Sequence, residues 1–315
     1  MTEEEQVGQP EVAYKSGYVA VVGRPNVGKS TLINALLGQK IAAVSPKPQT
    51  TRRLQLGILT SDDAQIIFMD TPGIHKPVHK LGEFMNEVAL DTLADADVIL
   101  WLVDATVPPN NEDEIVASRV NATKGSPDIL LALNKVDLIS GQALDANQAV
   151  YQALLPKAVP MRISAMNGYA TGELVRAMVE RLPHGDAFFD EDQVTDLYER
   201  DIAADLIREA ALLHLRDEVP HALAVRIDEF KERGEEAAYL GATLLVERES
   251  QKGIVIGKGA EMLKAIGSTA RPEIEKRSGR KIFLDLRVTV NKNWRNDPFT
   301  LNILGYASEK KKKKK

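Results

Sequence analysis

The feature that most constrains this chain is the octapeptide at residues 23–30, Gly-Arg-Pro-Asn-Val-Gly-Lys-Ser. It lies between an apolar run at 18–22 and a helical pattern opening near Thr31. The run has strand length and the following residues have helical spacing, so the loop joins a strand to the N-terminus of a helix. Pattern and context together are those of a phosphate-binding loop, whose ordinary alternative is a glycine-rich turn. The backbone N–H groups around Gly23, Asn26, Val27, Gly28, Lys29, Ser30 and Thr31 would wrap phosphate oxygens, and the helix end adds its positive dipole. Lys29 would reach the outer phosphates and the Ser30 hydroxyl would ligate Mg²⁺. At average residue abundances a chance match in a chain this long arises roughly once in a hundred.

The strand-then-helix rhythm continues. Apolar runs at 64–69, 98–103, 129–133 and 159–163 are separated by helical stretches at 81–93, 113–120 and 147–155, and a further stretch at 171–180 follows. This predicts an α/β fold with a mostly parallel sheet covered on both faces. Ligands of such sheets bind beyond the carboxyl ends of the strands, and the remaining motifs fall there. Asp70-Thr-Pro-Gly73 follows the second run: its carboxylate can hold a Mg²⁺ shell opposite Ser30, and Gly73 offers an N–H near a γ-phosphate. Asn134-Lys-Val-Asp137 follows the fourth run, and Ser164-Ala165 follows the fifth. Guanine presents two adjacent donors that the Asp137 carboxylate can accept together, whereas adenine would leave it unpaired, a loss of about 1–3 kcal/mol or more for a charged group. Asn134 can steady the loop and the base edge, the Lys135 stem can cover the ring, and the Ala165 N–H can meet a guanine oxygen.

In this order and spacing, the octapeptide, Pro-Gln-Thr-Thr-Arg at 48–52, Asp70–Gly73, Asn134–Asp137 and Ser164-Ala165 resemble the nucleotide-binding domain of translation-factor-type GTPases, and within these the Era family. The resemblance implies a first switch over residues 41–52, with Thr50 or Thr51 ligating Mg²⁺ and Thr51 favoured. It implies a second switch over residues 70–80, with His75, Lys76 and His79 as solvent-exposed loop residues. Where Ras-like proteins carry a water-orienting glutamine, this chain has Ile74. An alkyl chain cannot hold water, so intrinsic turnover is expected to be slow. Asn26 resembles the asparagine with which related GTPases hold a monovalent cation such as K⁺; an asparagine tolerating unusual φ explains it equally well.

Length and charge frame the rest. The chain has 315 residues, 44% hydrophobic and 27% charged, and no cysteine, which excludes a disordered chain, a disulfide framework and thiolate chemistry, and predicts two domains. No apolar run approaches the roughly 18 residues of a membrane span, and the acidic start lacks a signal-peptide pattern, so a cytoplasmic protein is expected. The net charge of −5 is unevenly spread: residues 181–237 carry −9 and residues 238–315 carry +10. A basic third points to a polyanion partner. Six of its lysines form the run 310–315, which reads as a solvated tail or as a tether to an anionic membrane surface.

Residues 182–196, rich in acids with Pro and Gly, read as an interdomain linker. Beyond it come a helix at 197–215, strands at 222–230 and 239–249, a glycine-rich turn Gly257-Lys258-Gly259-Ala260, helices to 266 and at 268–277, and a last strand at 282–290. This order resembles the KH domain at the C-terminus of Era proteins, in which the turn clamps about four nucleotides of single-stranded RNA. The fourth place of the turn holds Ala260 rather than glycine, which narrows its backbone freedom. Lys252, Lys258, Lys264 and Arg271 would face the RNA; Trp294, Phe299, Tyr306 and Tyr239 are the aromatics available for stacking, with Phe283 assigned to the core or the underside of the sheet. The expected organisation is a disordered segment 1–15, an Era-type GTPase domain 16–181, the linker, a KH-like domain 197–307 and a lysine tail 308–315. The resemblance implies a monomeric GTPase switch, binding GTP, GDP and Mg²⁺, that engages the 3′ end of 16S ribosomal RNA and assists maturation of the small ribosomal subunit. The rival readings are a passive RNA-binding scaffold with a structural nucleotide, and a membrane-surface GTPase.

Overall fold

The computed structural model describes residues 13–44, 47, 50–74, 77–125, 127–234 and 236–306. The expected N-terminal segment up to residue 12, Pro48 and Gln49, His75 and Lys76, and the lysine tail lie outside the described residues.

The first half forms one six-stranded sheet, built from β1 (Lys15–Val22), β2 (Gln55–Thr60), β3 (Ala64–Asp70), β4 (Val98–Asp104), β5 (Asp128–Asn134) and β6 (Val159–Arg162). Its order is β2-β3-β1-β4-β5-β6, and only the edge strand β2 runs antiparallel to its neighbour. Helices α1 (Lys29–Leu37), α2 (Lys80–Ala94), α3 (Asn111–Asn121), α4 (Gly141–Leu154) and α5 (Thr171–Arg181) connect or follow the strands. Strands β3 and β4 are buried along their whole length, as continuous Val, Ile and Leu runs demand when both sheet faces are covered. Two apolar layers result, one centred on Leu32 and Phe68 and the other on Trp101 and Tyr151. Register fixes where chemistry gathers: Val21 lies beside Asp70, and Asp104 beside Asn134. All four stand at the carboxyl end of the sheet, where β1 lies between β3 and β4 and the strand order reverses.

The second half follows with α6 (Glu199–His214), β7 (Ala224–Glu232), β8 (Ala237–Val246), α7 (Glu249–Ile256), α8 (Glu261–Ser278), β9 (Lys281–Val290) and α9 (Pro298–Ile303). Its sheet has the order β7-β8-β9, with β7 antiparallel and β9 parallel to β8. One face packs on α6, α7 and α8 around Ile207, Leu240, Val255 and Ile266.

Several sequence expectations change here. Residues 249–256 form a helix, closed by Gly257, rather than the end of a strand and a turn. The break expected near Gly267 does not occur: α8 runs unbroken through Gly267 and Pro272. A Cβ at Gly267 would make only an ordinary contact with Leu286, at 3.4 Å, and the helix continues past it. Pro272 is tolerated on an exposed face, where water can serve the carbonyl left without a partner. Of the two places expected for Phe283, core or underside, the underside holds: it alternates with the core-facing Ile282 and Leu284, is 64% exposed and stacks on Tyr239 at 5.8 Å on the face away from the helices. Trp294 and Tyr306 are core residues rather than stacking platforms, packed with Leu81 and Met85 of α2. The linker is pinned to the first domain: Gln65 Oε1 accepts the N–H groups of Phe188 and Phe189, and Val194 O accepts from Ile58 on the free edge of β2.

Candidate functional site

The loop after β1 is shaped by backbone geometry. Gly28 sits at φ 105°, where a Cβ would lie 2.4 Å from the Asn134 amide, and Asn26 takes the left-handed region at φ 65°. The second of these is the local role that an asparagine fills readily. Lys29 Nζ donates to the carbonyls of Gly23 at 3.0 Å and Arg24 at 3.1 Å, within the loop that would otherwise hold phosphate oxygens. Burial lowers its pKa to about 8, against the opposing pull of Asp70. Thr31 and Gly73 line the same cleft with Ser30 and Thr51. Val27 turns its side chain into the core and contributes backbone alone. Gly73 is needed because a Cβ there would meet Pro25 at 2.9 Å.

Three oxygens converge beside Lys29. Ser30 Oγ lies 2.8 Å from Asp70 Oδ2, Thr51 Oγ1 lies 3.2 Å from the same oxygen, and the two hydroxyls are 3.0 Å apart. Asp70 Oδ1 is buried with no hydrogen-bond partner, and burial raises the carboxyl above its ordinary pKa. A dry carboxylate with an orphaned oxygen beside two hydroxyls is a donor set of hard oxygens that fits Mg²⁺. Thr50 does not join it; its hydroxyl donates to Lys47 O at 2.8 Å. Ile74 is 3% exposed and packed in the core, so its side chain does not line the cleft.

The motifs after β5 and β6 brace the loop as well as flanking it. Asn134 Nδ2 donates to Val27 O at 2.8 Å, and its Oδ1 accepts from Ala165 N at 2.9 Å. Both halves of the amide are therefore engaged with protein, and the Ala165 N–H expected to face a guanine oxygen points to Asn134. Lys135, at φ 68°, spans from Asp104 Oδ2 at 2.6 Å to Asn26 O at 3.0 Å, stretching its stem along the cleft wall. Ser164 is fully buried and builds the turn, its N–H donating to Tyr169 O. Asp137 stands exposed on a short 3₁₀ turn at Val136–Leu138, open to a base edge. Sequence reasoning missed Asp104, whose pKa is held down, against its burial, by Lys135 and Thr106.

The second site lies in the C-terminal domain. Gly257 has φ 73°, Gly259 has φ 60° and Ala260 has φ 64°, so the alanine adopts a conformation that favours glycine. Beyond the turn, Leu263, Gly267, Leu284 and Leu286 floor a groove rimmed by Lys264 and Arg271. Lys258, Lys264 and Arg271 are exposed, and none enters an ion pair among the described residues. Lys252 lies on α7, outside the groove lining.

A third cluster was also missed, although the acid excess of residues 181–237 signalled it. On α6, Asp201, Asp205 and Glu209 recur every four residues and face the first domain. Asp201 and Asp205 accept from Arg53, Asp205 from Gln55 Nε2 at 2.5 Å, and Glu209 from Lys40 at 2.8 Å and Val44 N at 3.2 Å.

A family model described as a 50S ribosome-binding GTPase matches residues 18–135, and one described as a KH domain matches residues 218–295. The GTPase Era of Ruminiclostridium cellulolyticum is 46% identical over 299 residues, 95% of this chain and all of that protein. The GTPase Era of Leuconostoc citreum is 46% identical over 300 residues, 95% and 99% of the two chains. A crystal structure of Era in complex with MgGDPNP and nucleotides 1506–1542 of 16S ribosomal RNA matches with a TM-score of 0.89 at 40% identity, covering 94% of this chain and 100% of that one. A crystal structure of a single-residue variant of Aquifex aeolicus Era bound to GDP·AlF₄⁻ matches with a TM-score of 0.88 at 40% identity, covering 93% and 100%. With both domain models in the order the motifs predict, and relatives of this identity along almost its whole length, the chain belongs to the Era family of GTPases.

Proposed function

We propose that this GTPase is a switch that binds the 3′ end of small-subunit ribosomal RNA through its KH domain and assists maturation of the small ribosomal subunit. Residues 16–181 act as the nucleotide-binding domain and residues 197–307 as the RNA-binding one. In the first, the backbone of the loop 23–30 and Lys29 hold the phosphates, Asp137 accepts the two guanine donors, and Asn134 and Lys135 keep that carboxylate in register with the loop. Ser30, Thr51 and Asp70 would hold Mg²⁺, which neutralises charge developing on the phosphates. The Gly73 N–H would reach towards the γ-phosphate, and the buried Ile74 leaves the attacking water without a side-chain partner at that position, so intrinsic turnover is expected to be slow. A K⁺ ion beside Asn26 would add positive charge to the loop, and turnover compared in K⁺ and Na⁺ tests for it. In the second domain, the turn 257–260 and Lys258, Lys264 and Arg271 take the RNA backbone while the leucine floor receives bases.

The observation that carries the reading is that Thr51, whose hydroxyl meets Ser30 of α1 and Asp70 at the end of β3, stands on a loop whose next residue, Arg52, is bonded to the domain with the groove. The relative solved with 16S RNA matches over both domains, whereas the model whose description names the large subunit covers nucleotide-binding residues alone. The test is RNA affinity by fluorescence anisotropy, using a single-stranded oligonucleotide from the 3′ end of 16S RNA and a scrambled control, each with GDP or GDPNP. Tighter binding of the true sequence with GDPNP is expected. Equal, steeply salt-dependent binding of both oligonucleotides would leave only a basic surface.

A further inference from the structure

Arg52 is 2% exposed, yet no carboxylate pairs with it among the described residues. Its Nη1 donates to Leu223 O at 2.7 Å and its Nη2 to His221 O at 3.1 Å, both main-chain atoms at the entry to β7. The guanidinium lies 5.9 Å from the centroid of Trp294. Burial lowers its pKa to about 10 and the like charges of Arg208 and Arg295 push the same way, against the opposing hydrogen bond with Tyr306. A buried cation with only neutral acceptors is costly, and apolar side chains would fill this space more cheaply.

What the arrangement achieves is seen one residue back. The carbonyl of Thr50 accepts a hydrogen bond from Arg208 of α6, and the side chain of Arg52 is captured by the start of β7. Thr51 is thus bracketed on both sides by the second domain. Consecutive Cα atoms are about 3.8 Å apart, so two anchored neighbours leave its backbone little freedom. Thr51 is the residue whose hydroxyl meets Ser30 and Asp70, and among the described residues the first switch holds no other side chain in that cluster.

We propose that Arg52 is a positioning residue for Thr51: by inserting into the second domain it holds the threonine hydroxyl at the cation cluster, so that capture of a γ-phosphate with Mg²⁺ and docking of the two domains become one event. This rests on the reading of Ser30, Thr51 and Asp70 as a Mg²⁺ site, and it assigns the coupling to one side chain. Such coupling is reciprocal: a docked second domain favours the triphosphate, and the triphosphate favours docking. Arg53 and Lys40 also cross between the domains, but both pair with carboxylates and act as ordinary bridges.

The test uses the full chain and fluorescent GDP and GDPNP, titrated with Mg²⁺ and with EDTA, for the wild type, Arg52→Ala, Arg52→Lys and Lys40→Ala. In the wild type Mg²⁺ should tighten GDPNP more than GDP; failure of that step would undo the Mg²⁺ reading itself. Given that step, Arg52→Ala should lose about tenfold in Mg²⁺-dependent GDPNP affinity while GDP stays within about twofold, a difference that general loosening would not produce. Arg52→Lys retains the cation and reaches only one carbonyl, so it should lose part of the same preference, and it answers the question if Arg52→Ala does not fold. Lys40→Ala, which loosens the interface away from Thr51, should keep the wild-type ratio. An unchanged GDPNP-to-GDP ratio in the folded Arg52 variants, or an equal change in Lys40→Ala, would overturn the proposal.

Discussion

Lys29 is held, with 7% of its surface exposed, by two carbonyls of its own loop, and its depressed pKa of about 8 has a direct consequence for binding. Phosphate oxygens favour the charged ammonium, so the bound form raises that pKa again. Below pH 8 the free protein is already protonated and affinity is flat; above it, each binding event takes up a proton. GDP affinity should therefore weaken by up to about tenfold per pH unit above 8. Calorimetry in buffers of different ionisation enthalpy should show proton uptake at pH 9 and little at pH 7. Ala260 is the second residue that the backbone singles out. A left-handed alanine is strained by about 1–2 kcal/mol, partly offset by the entropy a glycine would add to the unfolded chain. Ala260→Gly should stabilise the protein by about 0.5–1 kcal/mol in urea unfolding, with RNA affinity kept or improved. The departure visible in the sequence thus has a structural cost: the alanine itself takes the left-handed conformation, φ 64°.

At the scale of elements, α6 does most to join the halves, and its acidic row explains why. Asp205 receives Gln55 and Arg53 and lies 3.6 Å from Arg208, all away from bulk water. Removing it takes one carboxylate from Arg53, which keeps Asp201, and one from Arg208, which keeps the Thr50 carbonyl, so Asp205→Ala should destabilise by about 1–3 kcal/mol, measured by urea denaturation. The conservative Asp205→Asn should recover part of that loss. Strands with continuous apolar runs, such as β3 and β4, were legible because burial on both faces requires them. The edge strand β2 was not: Gln55–Thr60 begins with a glutamine that points to α6, contains Gly57, and pairs on one side with β3. The same limit hid the roles of Asn134 and Ala165. A motif names the residues that gather at a site, while the hydrogen bond joining them depends on the register of β4 with β5 and on the loop after β6. Asp104 carries no motif signal in isolation; only its pairing with Lys135 reveals it.

Across the whole molecule, charge divides the labour between the two faces of the second domain. Its acidic α6 grips the first domain, helped there by Arg208, while Lys258, Lys264 and Arg271 stand exposed around the turn 257–260 and along the groove. This division was half legible: the negative and positive segments showed in the sequence, but the role of the acids on the helix after the linker did not, because their partners Lys40 and Arg53 lie 169 and 148 residues earlier in the chain. Phosphate contacts set the salt dependence of binding, at about 0.7 in slope per contact for a single strand. If Lys258, Lys264 and Arg271 each meet one phosphate, changing all three to alanine should flatten the dependence of log affinity on log salt by about 2. The loss should be nearly the same for the true and scrambled oligonucleotides, since these side chains read backbone and not sequence. Removing the lysine run at 310–315 should likewise weaken both oligonucleotides together and leave their ratio intact. Discrimination that vanished with the run would move recognition from the leucine-floored groove to the tail, and anisotropy across salt for the two variants decides between them.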